Sequence, residues 1–352
     1  MLVKYLGTKY DKDSDQWMPR SEFLENGLFR MTQPKFLNDR SSEAKFYPYL
    51  DEFSPADLAY ARKCSSSFDT DSKVNQLSHE DLIRLHLEPS GDRYTLENTP
   101  TLLGFTEYNS VEEYNKAQKR NLEKAVKEFN SFILEALSCH IGVFSLSKNA
   151  SNILMWTHYA NQGMGLAVSF KEEHPFFKKF GLQDVSYRPE DRASITYYKG
   201  TTRINGEYSD NFQLEEGMSL LGLYKLVLQE KTRYNDLIRK LIYSKSEDWK
   251  YEQEKRIICP LVLCEEKLGK TIEPSFELEI SDNLAIDFCS YSEVCLKKVP
   301  FSAFDSIIFG DAVSNLQKEI IIRKAKKNPA LSHLKFKQAD FDIRGEIVIK
   351  DL

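Results

Sequence analysis

Apolar and polar residues alternate from the start of the chain. Leu2-Val-Lys-Tyr-Leu6 has the period of two that predicts a strand. Leu28-Phe-Arg-Met-Thr32 has the same chemistry, follows the turn signal Asn26-Gly27 and ends before Pro34. From residue 41 to 138 the texture changes: polar residues dominate and apolar ones fall near helical spacing. Ser54-Pro55 and Ser78 are helix-opening signals, and Val111 to Leu137 predicts a long amphipathic helix. Beyond residue 140 strands return, at Ile141–Leu146, Gly165–Phe170, Leu182–Tyr187, Ala193–Tyr198, Arg256–Leu263, Leu284–Phe288, Val294–Leu296 and Ser306–Phe309. Helices are expected over Asn152–Tyr159, over Leu214–Tyr243 and from about Ser314. Strands in groups with helices clustered between them favour α+β over a doubly wound sheet. The expectation is a single α+β domain over residues 1–352, with a mostly helical insertion at about 45–138.

Composition narrows the function classes. The chain has 352 residues, enough to bury a substantial core, and its 41% hydrophobic and 29% charged content is that of a folded protein. A net charge of −5 supplies no global basic field for a phosphate backbone. The local basic run Arg323-Lys-Ala-Lys-Lys327 reads as the solvated end of a helix. None of the six cysteines forms a CxxC pair, no His stands at zinc-finger spacing, and no secretory signal opens the chain. Reduced thiols in a cytoplasmic protein are therefore expected, with no membrane span and no metal site. High aromatic content, with 22 Phe and 18 Tyr, suits either a well-filled core or a stacking pocket for a ligand ring.

Phosphate-binding loops, dinucleotide fingerprints, nucleophile elbows and zinc helices are all absent from the sequence. Two stretches remain that could carry chemistry. In Met155-Trp-Thr-His-Tyr-Ala160, helical spacing puts Met155, His158 and Tyr159 on one face, which either presents an imidazole and a phenol to a cleft or packs as a core helix. In Trp249-Lys-Tyr-Glu-Gln-Glu-Lys-Arg256, an extended backbone would point Glu252, Glu254 and Arg256 to one side. That row either builds a site in which Arg256 holds Glu254 ionised or forms an exposed ion pair of little energetic weight.

Together these stretches resemble a bacterial family known as domain of unknown function 2971. The resemblance runs through Lys4-Tyr5, Asn26-Gly-Leu-Phe-Arg-Met-Thr-Gln-Pro34, Phe36-Leu-Asn-Asp39, Phe144-Ser145, the two motifs above, Val185-Ser-Tyr187 and Ile307-Ile-Phe-Gly310. It departs from the family pattern after Asn38-Asp39, where Arg40-Ser41-Ser42 follows. A weaker likeness is to ADP-ribosyltransferases, and it implies a split or mixed central sheet that clamps NAD as substrate. On that likeness Glu254 stabilises an oxocarbenium-like ribose, Glu252 orients ribose or acceptor, and Tyr5, His158, Tyr159, Arg256 and Asn38 line the NAD pocket. The implied acceptor is a macromolecule, protein or nucleic acid, and the implied setting is a toxin or anti-phage effector with an operon-encoded partner. Two other readings stay open: a non-catalytic ligand sensor or interaction protein, and a metal-independent hydrolase or nuclease built on His158 and a carboxylate.

Overall fold

A computed structural model describes residues 1–12, 15–39, 43–68, 77–88, 110–198, 201–208, 233–274 and 289–352. Strand β1 (Leu2–Leu6) opens the chain, followed by the hairpin β2 (Thr8–Asp11) and β3 (Gln16–Pro19). A single helical turn, α1 (Phe23–Asn26), ends at Gly27, whose left-handed φ of 75° lets its N–H reach the Phe23 carbonyl. Strands β4 (Leu28–Met31) and β5 (Tyr47–Leu50) then lead to α2 (Pro55–Phe68). Ser54 and Asp57 cap α2 reciprocally, each side chain taking the other's backbone N–H, at 3.0 and 2.7 Å. Ser78 caps the short α3 (His79–Leu82), and Ser110 caps the 30-residue α4 (Val111–His140), which passes directly into β6 (Ile141–Ser147). Next come α5 (Ile153–Tyr159), β7 (Leu166–Phe170), α6 (Pro175–Lys179), β8 (Gln183–Asp184), β9 (Ser194–Tyr198), β10 (Thr201–Ile204), β11 (Glu207–Tyr208) and α7 (Arg233–Ile242). The C-terminal third holds β12 (Glu254–Pro260), β13 (Glu266–Ile272), β14 (Tyr291–Lys298), β15 (Phe304–Phe309), α8 (Asn315–Lys326), β16 (Lys335–Phe341) and β17 (Ile347–Asp351). Ser314 and Gln317 form a complete capping box on α8.

Helices and several mixed sheets make this an α+β fold. The region from 45 to 138 is not helical throughout: it begins with β5, where Tyr47, Tyr49 and Leu50 surround Pro48, a residue a helix interior rejects. Of the strand expected over Leu182–Tyr187 only Gln183 and Asp184 form a strand, and Ser186 adds a single bridge to Ser244. The strand beginning at Arg256 starts two residues earlier and stops at Pro260, where a 3-10 turn takes over. The helix expected over Leu214–Tyr243 is described only as α7, and the Leu284–Phe288 strand lies outside the described residues.

The largest sheet has eight strands in the order β17-β16-β15-β7-β1-β6-β12-β8, antiparallel except for β15 with β16. β1 pairs with β7 along its whole length, from Leu2 opposite Phe170 to Leu6 opposite Leu166. β6 pairs with β12 over seven positions, from Glu254 opposite Ser147 to Pro260 opposite Ile141. β1 and β6, by contrast, meet at one position, Val3 opposite Ser147. The sheet therefore opens at its middle.

Alternation along β1 divides the interior. Leu2 joins a cluster with Phe29, Phe144, Phe170, Phe177 and Phe304, while Val3 and Tyr5 join Trp156, Ala167 and Ile308 on the opposite face. A third cluster links Leu37 and Phe46 to Val143, Ile258 and α7. A close backbone crossing lies just before β7 and just after β15, where a Cβ on Gly310 would run into the carbonyl of Gly163. Among the described residues no helix is long and apolar enough to cross a membrane, and no group of His, Cys, Asp and Glu could hold a metal ion. All six cysteines are free thiols.

Candidate functional site at the opening of the central sheet

A cavity of about 250 Å³ occupies the opening between β1 and β6. Its walls come from β1 (Lys4, Tyr5), β4 (Arg30), the segment after it (Thr32, Asn38, Glu43), β6 (Ser145, Ser147), α5 (Met155, Tyr159) and the approach to β12 (Lys245, Glu252, Glu254, Arg256). Four cations thus face three carboxylates in a small, protein-lined space.

The carboxylates are held very differently. Glu254 receives Arg256 in a bidentate pair, Nε to Oε1 at 2.7 Å and Nη2 to Oε2 at 2.8 Å, with Lys245 at 3.7 Å. Burial would raise its carboxyl, but Arg256 and Lys245 overcome that and hold it down at about 2. Arg256 has other internal partners: it donates to Glu43 and to the Ile242 carbonyl besides Glu254. Buried and paired, it spends four of its five N–H groups inside the protein. Glu252 accepts Lys245 Nζ at 2.7 Å on one oxygen and the Tyr159 hydroxyl on the other. Burial lifts the Glu252 carboxyl above its ordinary range; Lys245 opposes that rise and the charge of Glu254 adds to it. Tyr159 is pushed up as well, first by burial and then by Glu252, and its oxygen accepts Asn38 Nδ2 at 3.0 Å. Asn38, Tyr159, Glu252 and Lys245 form one continuous hydrogen-bonded line from the exposed rim to the interior.

Glu252, Glu254 and Arg256 do not share one strand. A 3-10 turn covers Glu247–Glu252, and Gln253 adopts left-handed φ and ψ of 45° and 52° before β12 begins at Glu254. This kink, rather than strand pleating, aims Glu252 and Glu254 into the same cavity. The expected face of α5 is also narrower. Asn152 caps the helix and Trp156 is buried, its indole N–H donating to the Ala150 carbonyl at 2.8 Å and its ring edge-on to Tyr5 at 5.1 Å. Met155 and Tyr159 line the cavity, whereas His158, on the other flank of Met155, is exposed and lies 6.5 Å from the Tyr251 ring. Tyr5 reaches the cavity wall, but its hydroxyl donates to the Asn149 carbonyl at 2.8 Å and its ring is core.

The structure thus brings Glu252, Glu254, Arg256, Tyr5, Tyr159 and Asn38 together and leaves His158 outside. It adds Lys4, Arg30, Glu43 and Lys245, to which sequence reasoning assigned no role. Lys4 carried a legible signal: a charged residue on the same face as Leu2 and Leu6 in a strand otherwise apolar. Glu43 carried none, because only long-range packing brings it to Arg256, 213 residues away.

No curated protein and no solved structure matches the chain. The family described as "Protein of unknown function (DUF2971)" matches residues 155–257, a span that runs from α5 into β12 and includes Tyr159, Lys245, Glu252, Glu254 and Arg256. Over that span, which holds the hydrogen-bonded half of the cavity, the resemblance to this family read from the sequence is upheld.

Proposed function

We propose that the cavity is the reaction centre of an enzyme that transfers ADP-ribose from NAD to a macromolecule. The observation that carries this reading is a buried carboxylate, Glu252, facing a cavity where the central sheet parts. At about 250 Å³ the cavity is smaller than the roughly 300–1,000 Å³ of pockets that enclose a whole ligand, so one end of a dinucleotide would enter and the rest would lie outside. In the reaction the bond between ribose C1′ and the nicotinamide nitrogen breaks, and its electron pair leaves with neutral nicotinamide. The ribose acquires oxocarbenium character. A carboxylate beside it in a water-poor site stabilises that charge far more than it would in water. The acceptor then forms a bond to C1′ and releases a proton.

The geometry favours Glu252 over Glu254 for the group nearest the ribose. Glu254 has both oxygens on Arg256, whereas Glu252 is tied to Tyr159, which reaches the rim through Asn38. Glu254, Arg256 and Glu43 act as the frame, and Lys245 keeps Glu252 in place. His158, on which a hydrolase reading rests, stands outside the cavity.

The test is incubation of purified protein with NAD and a bacterial extract, reading nicotinamide release and label transfer. The wild type should release nicotinamide, and Glu252→Gln should reduce release on the order of 100-fold with an unchanged circular dichroism spectrum. No release by wild type, or full activity in Glu252→Gln, would reject the assignment. The internal pairing of Glu254 with Arg256 also suits a second reading, a non-catalytic ligand sensor. In that case NAD would raise the melting temperature without releasing nicotinamide.

A further inference from the structure

Lys245 and Arg256 have carboxylate partners, but among the described residues the other two cations of the cavity have none within ion-pair distance. Lys4 Nζ donates to one acceptor, the Ser145 carbonyl at 3.0 Å, and lies 5.1 Å from the centre of the Phe144 ring. Among the described residues, two of its three N–H groups have no acceptor. Arg30 donates to the Glu293 carbonyl at 3.2 Å and rests 5.8 Å from the centre of the Phe36 ring. The two cations are close enough for Arg30 to disfavour the charge on Lys4. Two like charges across an open cavity, with donors to spare, are a repulsion that a bound anion would relieve.

We infer that Lys4 and Arg30 form an anion subsite that takes a phosphate group of the ligand. The inference rests on the NAD reading for the identity of that group, one phosphate of a dinucleotide's diphosphate, and on the unpaired cations for the subsite itself. Lys4 comes from β1 and Arg30 from β4, and Glu252 and Tyr159 line the same cavity. A phosphate held by Lys4 and Arg30 would leave the attached ribose free to reach toward Glu252. Burial lowers the Lys4 ammonium to about 8; Glu254 and Glu252 raise it, and Arg256 and Arg30 lower it further. The remaining ionisable cavity groups are Tyr5, Glu43, Lys245 and Tyr159. An anion therefore binds best below pH 8 and raises the proton affinity of Lys4 when it binds.

Pyrophosphate and ADP-ribose titrations by calorimetry, at fixed ionic strength and at pH 7 and 9, test this. Saturable binding of both is expected, weaker by about tenfold or more in Lys4→Met and by a smaller factor in Arg30→Gln, which alters an exposed side chain and leaves the fold intact. Lys127→Met, outside this cavity, should bind as the wild type does. For ADP-ribose, whose diphosphate keeps one charge state over this range, affinity should fall from pH 7 to 9 in wild type and Arg30→Gln but stay flat in Lys4→Met, a signature that a purely structural lysine would not give. Absence of saturable binding, or equal affinity in Arg30→Gln, Lys127→Met and wild type, overturns the subsite. Binding without nicotinamide release supports the subsite and rejects the transferase reading; release without pyrophosphate binding does the reverse.

Discussion

Arg256→Met removes the guanidinium at the centre of the buried ion network while nearly keeping the volume of the side chain. Arg256 is 1% exposed and satisfies Glu254, Glu43 and the Ile242 carbonyl together. Its loss leaves two buried carboxylates with Lys245, at 3.7 Å from Glu254, as the nearest cation to that group. Breaking a buried pair by removing one partner costs about 3–5 kcal/mol, against a total stability of about 5–15 kcal/mol. The sign of the pH dependence separates this cause from lost packing. In the wild type Glu254 titrates at about 2 rather than 4.5, so it contributes stability above pH 4.5 that disappears as pH falls toward 2. That difference corresponds to about 3 kcal/mol, in line with the mutational range. Without Arg256 burial dominates and the Glu254 carboxyl moves above 4.5. Its contribution then reverses, and the variant should gain stability relative to wild type as pH falls from 7 to 5. Urea unfolding followed by tryptophan fluorescence at pH 5, 6 and 7 measures both effects. The triple change Glu43→Gln, Glu254→Gln, Arg256→Met should recover more than half of the loss, because the penalty lies in uncompensated charge. A loss below about 1 kcal/mol at pH 7, or the same loss at pH 5 and pH 7, would refute the argument.

Two further substitutions probe the scaffold around the cavity. Trp156→Phe removes the indole donor to the Ala150 carbonyl and leaves space beside Tyr5, so a loss of about 2–3 kcal/mol in urea unfolding is expected, and near-neutrality would mean α5 is not anchored there. Gly310→Ala should fail to accumulate as folded protein, since its Cβ meets the Gly163 backbone; Gly345→Ala, with a φ of 80° but open space around it, should cost only about 1 kcal/mol.

Local pattern sufficed where local physics decides the outcome. The alternation of Leu2–Leu6, the Ser54-Pro55 and Ser78 caps, the long helix after Ser110 and the capped helix after Ser314 all stand as read, because propensity, capping and periodicity act within a few residues. The opening of the sheet was not legible, since it depends on β1 meeting a strand some 140 residues away at one position only. The Glu-x-Glu-x-Arg row was read with the right residues and the wrong backbone: nothing in the residue type of Gln253 announces a left-handed conformation, which Gly or Asn would have signalled. His158 failed for a related reason. Helical spacing identifies neighbouring side chains, but only packing decides which flank of Met155 meets the cavity. Charge partners were the least accessible feature, as Glu43 with Arg256 and Lys4 with Ser145 are contacts of high sequence separation.

The bond between Lys4 and the Ser145 carbonyl stands where a main-chain rung would otherwise continue the ladder between β1 and β6. A main-chain rung is fixed by the strands on either side and can be traded only by unzipping them. An amine on a flexible stem is a latch: it can swing to an incoming oxygen and release the carbonyl without disturbing Val3 or Ser147. Parting the eight-stranded sheet at this point would thus cost one side-chain hydrogen bond and no main-chain rung.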